Sequence, residues 1–379
     1  MILPSMSSSL KLNYSMMGMI SAGNFSGYLG SVISCSLILN FITPRLLICL
    51  GLFLISSCMI LVSFAESYIS VVILYTITGI GSGAVNVPVM SLVNRWFVPE
   101  YRGKAAGFMA IGSGFAIMLS GWMIPFINNI YADLGWRISW KLSSLIVFLS
   151  AIAAGLFIRN TPEDIGIKPY GEKTNTNIPP VKHETTASIY KNLKSYHLGI
   201  IYALFGFTYS AYVTFIITYS VKELHYTQYS AGKFWFFTGL FSLISGPVFG
   251  AISDKFSRKA GFIIVFGIQS FSYACAAYGY YPLFFKISIV LFGITAWSIP
   301  AIMTAAVSDN YPSQQMAAAF GFITFIFGIG QICSPASAGW IADKTGSFKY
   351  SFFLISGMAI TAVILASFIS KKSDFKKNS

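Results

Sequence analysis

Long apolar runs dominate this sequence, and they constrain the fold more than any other feature. Eleven segments each carry about 20 mostly apolar residues, the length that a helix needs to cross the hydrocarbon core of a bilayer. Strands of a membrane β-barrel would be about 10 residues long and alternating in polarity. We therefore predict an all-α, polytopic membrane protein. The predicted spans are 14–39, 46–65, 69–93, 105–128, 138–158, 198–221, 231–252, 260–279, 283–306, 315–341 and 349–370.

The scarcity of charge agrees with this prediction. Charged residues make up 10% of the chain, against roughly 25% in a soluble protein, so most of the surface must face lipid. The formal charge of +13 would suggest nucleic acid in a soluble chain. Here the basic residues lie in short loops between apolar runs, so membrane topology explains them and no nucleic-acid partner is expected. The five cysteines lie inside apolar runs without metal-ligand spacing, and we expect neither a metal site nor a cofactor.

One long connection divides the spans into two groups. Residues 159–197 contain four prolines together with Asn, Thr, Lys and Glu, a composition that favours a flexible linker. We predict an N-terminal bundle over 1–158, a linker over 159–197, a C-terminal bundle over 198–371 and a tail over 372–379.

The two groups are unequal, with five spans before the linker and six after it. The chain opens with Met1-Ile2-Leu3-Pro4, which is typical of the outer end of a span. We expect a first helix upstream, and the visible spans are therefore numbered 2 to 12. A genuine eleven-span protein is the alternative.

The distribution of basic residues predicts the orientation. Of the 25 Lys and Arg residues, 17 lie on the face that holds the linker and 8 on the other face. Because cytoplasmic loops carry the excess of Lys and Arg, we expect the linker and the C-terminus in the cytoplasm. We expect a monomer in a bacterial inner membrane.

Two sequence anchors repeat at one offset. Asn40, after span 2, and Asp254, after span 8, are 214 residues apart. Gly107 and Gly321, which open spans 5 and 11 within Ala-Gly-Phe and Phe-Gly-Phe, are also 214 apart. Two matches at corresponding places indicate two related bundles, an arrangement in which transporters hold their solute between the halves near the midplane.

The loop after span 8 reads Gly250-Ala-Ile-Ser-Asp254-Lys255-Phe-Ser-Arg258-Lys259. This resembles the loop signature of the major facilitator superfamily of transporters. The stretches 94–104 and 160–166 resemble monocarboxylate and oxalate/formate-type members, and 327–343 resembles YbfB/YjiJ-type members. The resemblance covers nearly the whole chain and implies two pseudo-symmetric helical bundles.

The loop motif also suggests a conformational latch. A carboxylate at Asp254 can cap the positive N-terminus of a nearby helix, a contact that is worth about 0.3–1 kcal/mol when exposed and up to ~2 kcal/mol when partly buried. The resemblance implies span 11, opening at Pro312, as the partner, and the alternative is a plain positively charged loop. Asn40 replaces the acid in the first-half copy, so we predict a weaker latch there. The predicted latch residues are Gly250, Asp254, Lys255, Arg258 and Lys259, with Asn40 and Arg45 in the first half.

Polar side chains inside the spans are the candidates for a solute pathway. An amide in hydrocarbon costs several kcal/mol unless it is bonded, so these residues should face the interior of a bundle. Bonds between helices are the alternative role for each of them. The resemblance implies that spans 4, 7 and 10 line the cavity, which leaves Gln269 of span 9 as the weakest candidate. The stronger candidates are Asn24, Asn86, Tyr209, Thr214, Trp297 and Gln331.

These features favour a secondary transporter that moves a small solute, such as an organic anion, by alternating access. Its expected partners are the solute, the lipid bilayer and a proton or another coupling ion. No Asp or Glu lies mid-span, which leaves open a facilitator without proton coupling. A non-transporting sensor or assembly protein on the same fold is a further alternative. We see no catalytic cluster and predict that the chain is not an enzyme.

Overall fold

The computed structural model describes residues 1–171, 187–311 and 313–369, and this part of the chain is almost entirely helical. Its helices are α1 Leu3–Ser9, α2 Tyr14–Ile38, α3 Pro44–Val62, α4 Tyr68–Trp96, α5 Pro99–Tyr131, α6 Gly135–Phe157, α7 Ala187–Lys191, α8 Leu193–Lys222, α9 Gln228–Lys255, α10 Arg258–Ala277, α11 Pro282–Thr295, α12 Ser298–Asn310, α13 Ser313–Thr345 and α14 Lys349–Ser367. The prediction of an all-α protein with eleven spans is confirmed. Span 10 differs in one respect, because it is broken into α11 and α12.

Local sequence sets where the helices begin. The first turn of an α-helix leaves backbone N–H groups without a partner, and a Ser, Thr, Asn or Asp side chain just before the helix can satisfy one of them. Proline at the first helical position is also favoured, because its missing N–H costs nothing there. Side chains cap the starts of α2, α3, α4, α9 and α10, namely Asn13, Thr43, Ser67, Thr227 and Ser257. Prolines open α3, α5 and α11.

The membrane-spanning character follows from helix length and composition. Within the described residues, nine helical segments are long and apolar enough to cross a membrane, and one of them, Ile111–Phe157, runs through both α5 and α6. The more polar α2 is not among the nine. Because it packs against α4 and α13, its Ser, Gly and Asn residues face other helices as well as lipid.

Both ends of the predicted linker 159–197 pack on helices. Asn160 Oδ1 accepts a hydrogen bond from the Arg45 backbone N–H at 2.9 Å, and the Tyr170 N–H donates to Trp96 O at 2.8 Å. At the other end α8 begins at Leu193 rather than at 198, because Asn192 caps it through the Lys194 N–H at 3.0 Å. The middle of the predicted linker lies outside the described residues.

The two halves repeat along their whole length. The first residues of α2 and α9, Tyr14 and Gln228, are 214 residues apart. The same offset separates the first residues of four other helix pairs. These are α3 and α10 (Pro44, Arg258), α4 and α11 (Tyr68, Pro282), α5 and α13 (Pro99, Ser313), and α6 and α14 (Gly135, Lys349). The repeat predicted from two anchors therefore extends to five helix pairs. The short α1 ends at Ser9 and matches the last turns of α8, which ends at Lys222.

The halves meet along two helix crossings, α2 with α13 and α5 with α9. We call the face with the α6–α8 connection the linker face and the opposite face the far face. Near the far face the backbones almost touch: a Cβ on Gly18 would lie 2.1 Å from Pro335 O, and a Cβ on Gly232 would lie 2.4 Å from Gly121 O. Only glycine permits such an approach. The halves are therefore closed together at the far face.

The same crossings are open near the linker face. Gly328 contacts Leu29, yet Gly321, seven residues earlier on the same side of α13, has no atom of the described residues within 4 Å of its Cβ position. On α9, a Cβ on Gly239 would lie 2.7 Å from Gly114 O, whereas a Cβ on Gly250, eleven residues later on the same side of the helix, would have no described atom within 4 Å. The two bundles thus splay apart at the linker face and enclose a cleft.

The C-terminal bundle has a dense aromatic core. Tyr212 packs its ring 4.1 Å from that of Phe292, and its hydroxyl shares a 2.8 Å hydrogen bond with Ser288 Oγ. Phe352 and Phe266, on α14 and α10, are also fully buried. Because close-packed interiors resist deformation, we expect this bundle to move as one body.

We expect Gly18→Ala to destabilise the protein and Gly30→Ala to leave it unchanged. The added methyl at 18 meets the Pro335 carbonyl, a backbone atom that cannot rotate away, whereas the site at 30 is open. Overpacking of this kind costs about 1–3 kcal/mol. Thermal unfolding of the two variants in detergent checks the prediction, and equal melting temperatures would contradict the tight crossing.

Candidate functional site

An aromatic cluster lies between the helices at the centre of the molecule. Tyr202, Phe205 and Tyr209 project from one side of α8, since residues spaced by three, four and seven share a helix face. The Tyr202 ring stacks 4.4 Å from Phe327 of α13, and the Tyr209 ring lies 5.5 Å from Trp297. We call these five residues the central aromatic cluster.

The break between α11 and α12 holds Trp297 in place. Its backbone N–H donates to Ser245 Oγ of α9 at 3.1 Å, and the Ser298 hydroxyl donates to Ser245 O at 3.0 Å. The indole Nε1 is buried and has no hydrogen-bond partner in the described part of the chain. An unpaired buried donor costs about 1–3 kcal/mol, so an acceptor that reached this N–H would recover that cost.

The hydroxyls of Tyr202 and Tyr209 carry no hydrogen bond within the described residues, and neither is among the fully enclosed unpaired atoms. The cluster therefore offers neutral hydrogen-bond donors beside flat apolar rings.

The sequence-predicted pathway residues divide into two groups. Tyr209 and Trp297 are brought together in the cluster. The buried Gln331 lies next to it on α13, and its backbone carbonyl accepts a 3.1 Å hydrogen bond from Ser210 Oγ. The others lie elsewhere. Asn24 donates to Tyr75 O at 2.9 Å and joins α2 to α4, so a bond between helices accounts for it.

The remaining predicted residues lie away from the cluster. Asn86 is exposed on α4 towards the linker face, and Thr214 is half-buried on α8 towards the far face. Gln269 donates to Thr295 O at 3.3 Å inside the C-terminal bundle, in line with its weak candidacy. A pathway role for each of these residues stays a prediction.

Sequence reasoning missed three members of the central aromatic cluster: Tyr202, Phe205 and Phe327. Inside apolar spans, aromatic side chains taken singly are typical of residues that face lipid or a bundle core, so residue type alone does not distinguish these three. The spacing of Tyr202, Phe205 and Tyr209 was the available signal, because it places three rings on one face of α8.

Among the described residues, the bonds of the predicted linker-face latch lie within each half. Arg258 pairs with Asp254 and donates from Nε to Asp309 Oδ2 at 2.8 Å, which ties α9, α10 and α12 together. In the first half, Arg45 donates to Gly155 O and ties α3 to α6. The Asp254 side chain remains 66% exposed.

One expectation about this latch is wrong. Asp254 was expected to reach the start of α13, but α9 packs along α5. The helix that runs beside α9 is therefore α5, which begins at Pro99. The helix that α13 packs along is instead α2. Asn40 follows the linker-face end of α2.

The far face is held by a carboxylate that bridges the halves. Asp343, at the end of α13, accepts hydrogen bonds from the backbone N–H groups of Tyr14 at 2.9 Å and Ser15 at 2.7 Å, at the start of α2. The Tyr14 ring also packs 4.5 Å from Phe348 of the C-terminal bundle. A negative charge at a helix N-terminus is favourable, so this contact stabilises the closed far face.

A neutral cluster joins the second crossing at the same face. Asn128 of α5 donates to Gln228 of α9, and both amides donate to Ser5 Oγ, at 3.0 and 2.9 Å. Ser5 and Asn128 belong to the first half and Gln228 to the second. The far face is thus closed by hydrogen bonds between the halves at both crossings.

A second far-face carboxylate braces the C-terminal bundle. Glu223, just after α8, accepts from Ser347 Oγ at 2.6 Å and from the Phe348 N–H at 3.0 Å. Burial raises the pKa of Glu223, and these two hydrogen bonds offset part of the rise. Glu223 therefore carries its proton at a higher pH than an exposed glutamate does.

Comparison with known proteins agrees with this architecture. The profile of the family described as "Uncharacterised MFS-type transporter YbfB" matches residues 1–367. The hexuronate transporter of Bacillus subtilis is 23% identical over 79% of this chain and 73% of its own length. Human monocarboxylate transporter 2 is 23% identical over 85% and 69%, and the oxalate:formate antiporter of Oxalobacter formigenes is 24% identical over 78% and 68%.

Two solved structures share the fold. A bacterial homologue of the human lysosomal transporter Spinster, in an inward-facing and unoccupied conformation, superposes with a TM-score of 0.76 at 13% identity, covering 97% of this chain and 91% of that one. A mutant of the nucleoside transporter NupG gives 0.71 at 12% identity, covering 98% and 94%.

Two repeated helical bundles around a cleft, with these relatives, define a multi-pass membrane transporter of the major facilitator superfamily. Within that superfamily the chain belongs to the family of YbfB-type transporters. The resemblance noted from the loop motif is thereby confirmed.

Glu223 predicts a pH dependence of stability. Because its pKa is raised in the folded state, ionisation is less favourable there than in the unfolded chain. The contribution of Glu223 is therefore largest below the ordinary pKa of glutamate, about 4.3, and is lost as pH rises through the higher folded value. Melting temperatures from pH 4 to 8 should fall less steeply for Glu223→Gln than for the parent protein, and parallel curves would contradict the assignment.

Proposed function

We propose that this protein moves a small organic anion across the membrane by alternating access. The observation that carries the proposal is the contrast between the two faces. The crossings α2–α13 and α5–α9 are in backbone contact near the far face and apart near the linker face. Because the two halves are repeats, rocking them about the same crossings would close one face and open the other.

The cleft defines a route for the solute. From the linker face a solute reaches the central aromatic cluster, beyond which the contacts of Asp343 and Asn128 close the far face. Closure of the linker face around the bound solute, followed by opening of the far face, would complete the transfer. The excess of Lys and Arg on the linker face makes that face cytoplasmic in this proposal.

The chemistry of the site supports an organic anion as substrate. The phenols of Tyr202 and Tyr209 and the unpaired indole N–H of Trp297 are hydrogen-bond donors, and carboxylate oxygens are acceptors. The three curated relatives described above are named for hexuronate, monocarboxylate, and oxalate or formate transport. The positive linker face would raise the local concentration of anions at the mouth of the cleft.

The first candidate mechanism is a proton-coupled carrier, and the second is a facilitator without proton coupling. Within the described spans, the acidic side chains lie near helix ends, as Asp254, Asp309 and Asp343 do. Proton-coupled carriers use Asp, Glu or His side chains within the membrane, and the central aromatic cluster contains none of these.

Proteoliposome uptake distinguishes the two candidates. With equal pH on both sides, a facilitator equilibrates a labelled monocarboxylate and never concentrates it. A proton-coupled carrier accumulates the solute when a pH gradient is imposed, and a protonophore abolishes the accumulation. Absence of uptake of any of the three anion classes, in vesicles that hold correctly folded protein, would contradict the proposed substrate class.

We expect Tyr209→Phe to raise the KM for the solute about 3- to 10-fold, because it removes one hydrogen-bond donor worth about 1 kcal/mol. Tyr219→Phe is the matched control on the same helix, since the Tyr219 hydroxyl is buried towards the far face and has no hydrogen-bond partner among the described residues. Initial uptake rates over a range of solute concentrations give both values. An equal KM for the two variants would remove Tyr209 from the site.

A further inference from the structure

The carboxylate of Asp343 joins the two halves at the far face. Its two oxygens accept from the N–H groups of Tyr14 and Ser15, which are among the first four in α2 and lack a partner inside that helix. The carboxylate belongs to the C-terminal half and the N–H groups to the N-terminal half. The bond can therefore exist only while the far face is closed.

The helix does not need this carboxylate in order to form. Asn13 already caps α2, since its Oδ1 accepts from the Met16 N–H at 2.8 Å. When the far face opens, α2 keeps this local cap while its first N–H groups pass from Asp343 to water. The contribution of Asp343 is thus tied to the conformation of the halves and not to the helix.

The repeat shows that the carboxylates are placed asymmetrically. Asp343 of α13 corresponds to Asn129 of α5, and Asp254 of α9 corresponds to Asn40, in the turn just after α2, since each pair differs by 214. Each carboxylate therefore has a neutral amide at the matching position of the other half. Asp343 lies at the far end of the α2–α13 crossing, and Asp254 lies at the linker end of the α5–α9 crossing.

We propose that Asp343 is the far-face latch of the transport cycle, and that it acts in alternation with Asp254. With the far face closed, Asp343 caps α2 while Asp254 stays exposed and pairs with Arg258, as in this structure. With the linker face closed, Asp254 caps α5 and Asp343 is released. The cycle exchanges one capped helix N-terminus for another, so neither face is held closed permanently. This inference rests on the alternating access proposed above.

The free energy expected for the Asp343 contact is small enough for a reversible conformational change. A carboxylate at a helix N-terminus contributes enough to change an equilibrium about 2- to 30-fold. A latch of this strength biases the closed state without trapping the protein in it. Asp343 acts by positioning the halves, and the solute need not touch it.

The test measures the exposure of each face by labelling single cysteines in a variant that lacks the native ones. Met17→Cys reports the far face, because Met17 is fully buried near the Asp343 contact. Gly321→Cys reports the linker face, because that position is open. Rates of reaction with a membrane-impermeant maleimide are measured in nanodiscs without solute.

Asp343→Asn should raise the labelling rate at position 17 about 2- to 30-fold and lower the rate at 321. Asp343→Glu, which keeps the charge, should restore part of the parent behaviour.

Asp133→Asn is the matched control, an exposed far-face acid in the short turn after α5, and it should change neither rate. Asn13→Ala tests for simple weakening of α2, which would lower stability without moving the two rates in opposite directions.

Parent-like rates in Asp343→Asn would overturn the latch, and so would rates that rise at both positions. Adding Asp254→Asn to Asp343→Asn should return both rates towards those of the parent, since each face then loses one cap. Failure of that return would overturn the alternation with Asp254. Because the labelling needs neither solute nor transport, a shift of the rates in protein that takes up no anion would refute the proposed substrate and leave the latch standing.

Discussion

Backbone contact between the two halves at the far face is the interaction on which the rest of this structure depends. Gly18 of α2 meets Pro335 of α13, and Gly232 of α9 meets Gly121 of α5. These contacts gain dispersion energy over closely spaced atoms, and in lipid such packing replaces the hydrophobic effect as the main force between helices. Because the same four helices separate towards the linker face, the contacts also define the cleft and its direction.

The aromatic core of the C-terminal bundle is separate from these contacts between the halves. Tyr212, Phe266, Phe292 and Phe352 are buried within one half, so motion between the halves does not disturb them. The interface between the halves consists instead of small residues and a few polar bonds, such as those of Asp343 and Asn128. A close-packed bundle whose core is separate from the interface favours movement of whole halves over local rearrangement.

Much of this fold follows from the sequence, because the pattern is global. Eleven apolar runs, one polar connection and the offset of 214 between Asn40 and Asp254 were sufficient to predict two repeated bundles. The starts of α2 and α9 then agree with that offset because Asn13 and Thr227, themselves 214 apart, cap both helices.

The site was less predictable, since it depends on which helix ends meet across the halves. Asp343 is an ordinary end-of-span acid in the sequence, and only the crossing of α13 with α2 places it on Tyr14. Likewise Asp254 was assigned to the wrong helix, because the sequence does not show that α9 lies along α5. Single polar residues such as Asn24 form bonds between helices as readily as they line a pathway, and the distinction requires the packing.

Distances between spin labels test the central claim, that the two faces open and close in opposition. One pair joins Phe41, beyond α2, to Gly321 of α13 at the linker face, and the other joins Asp133, beyond α5, to Tyr229 of α9 at the far face. Adding a transported anion should shorten the first distance and lengthen the second in the same fraction of molecules. Two distances that change in the same direction, or a far-face distance that never lengthens under any solute condition, would contradict the account.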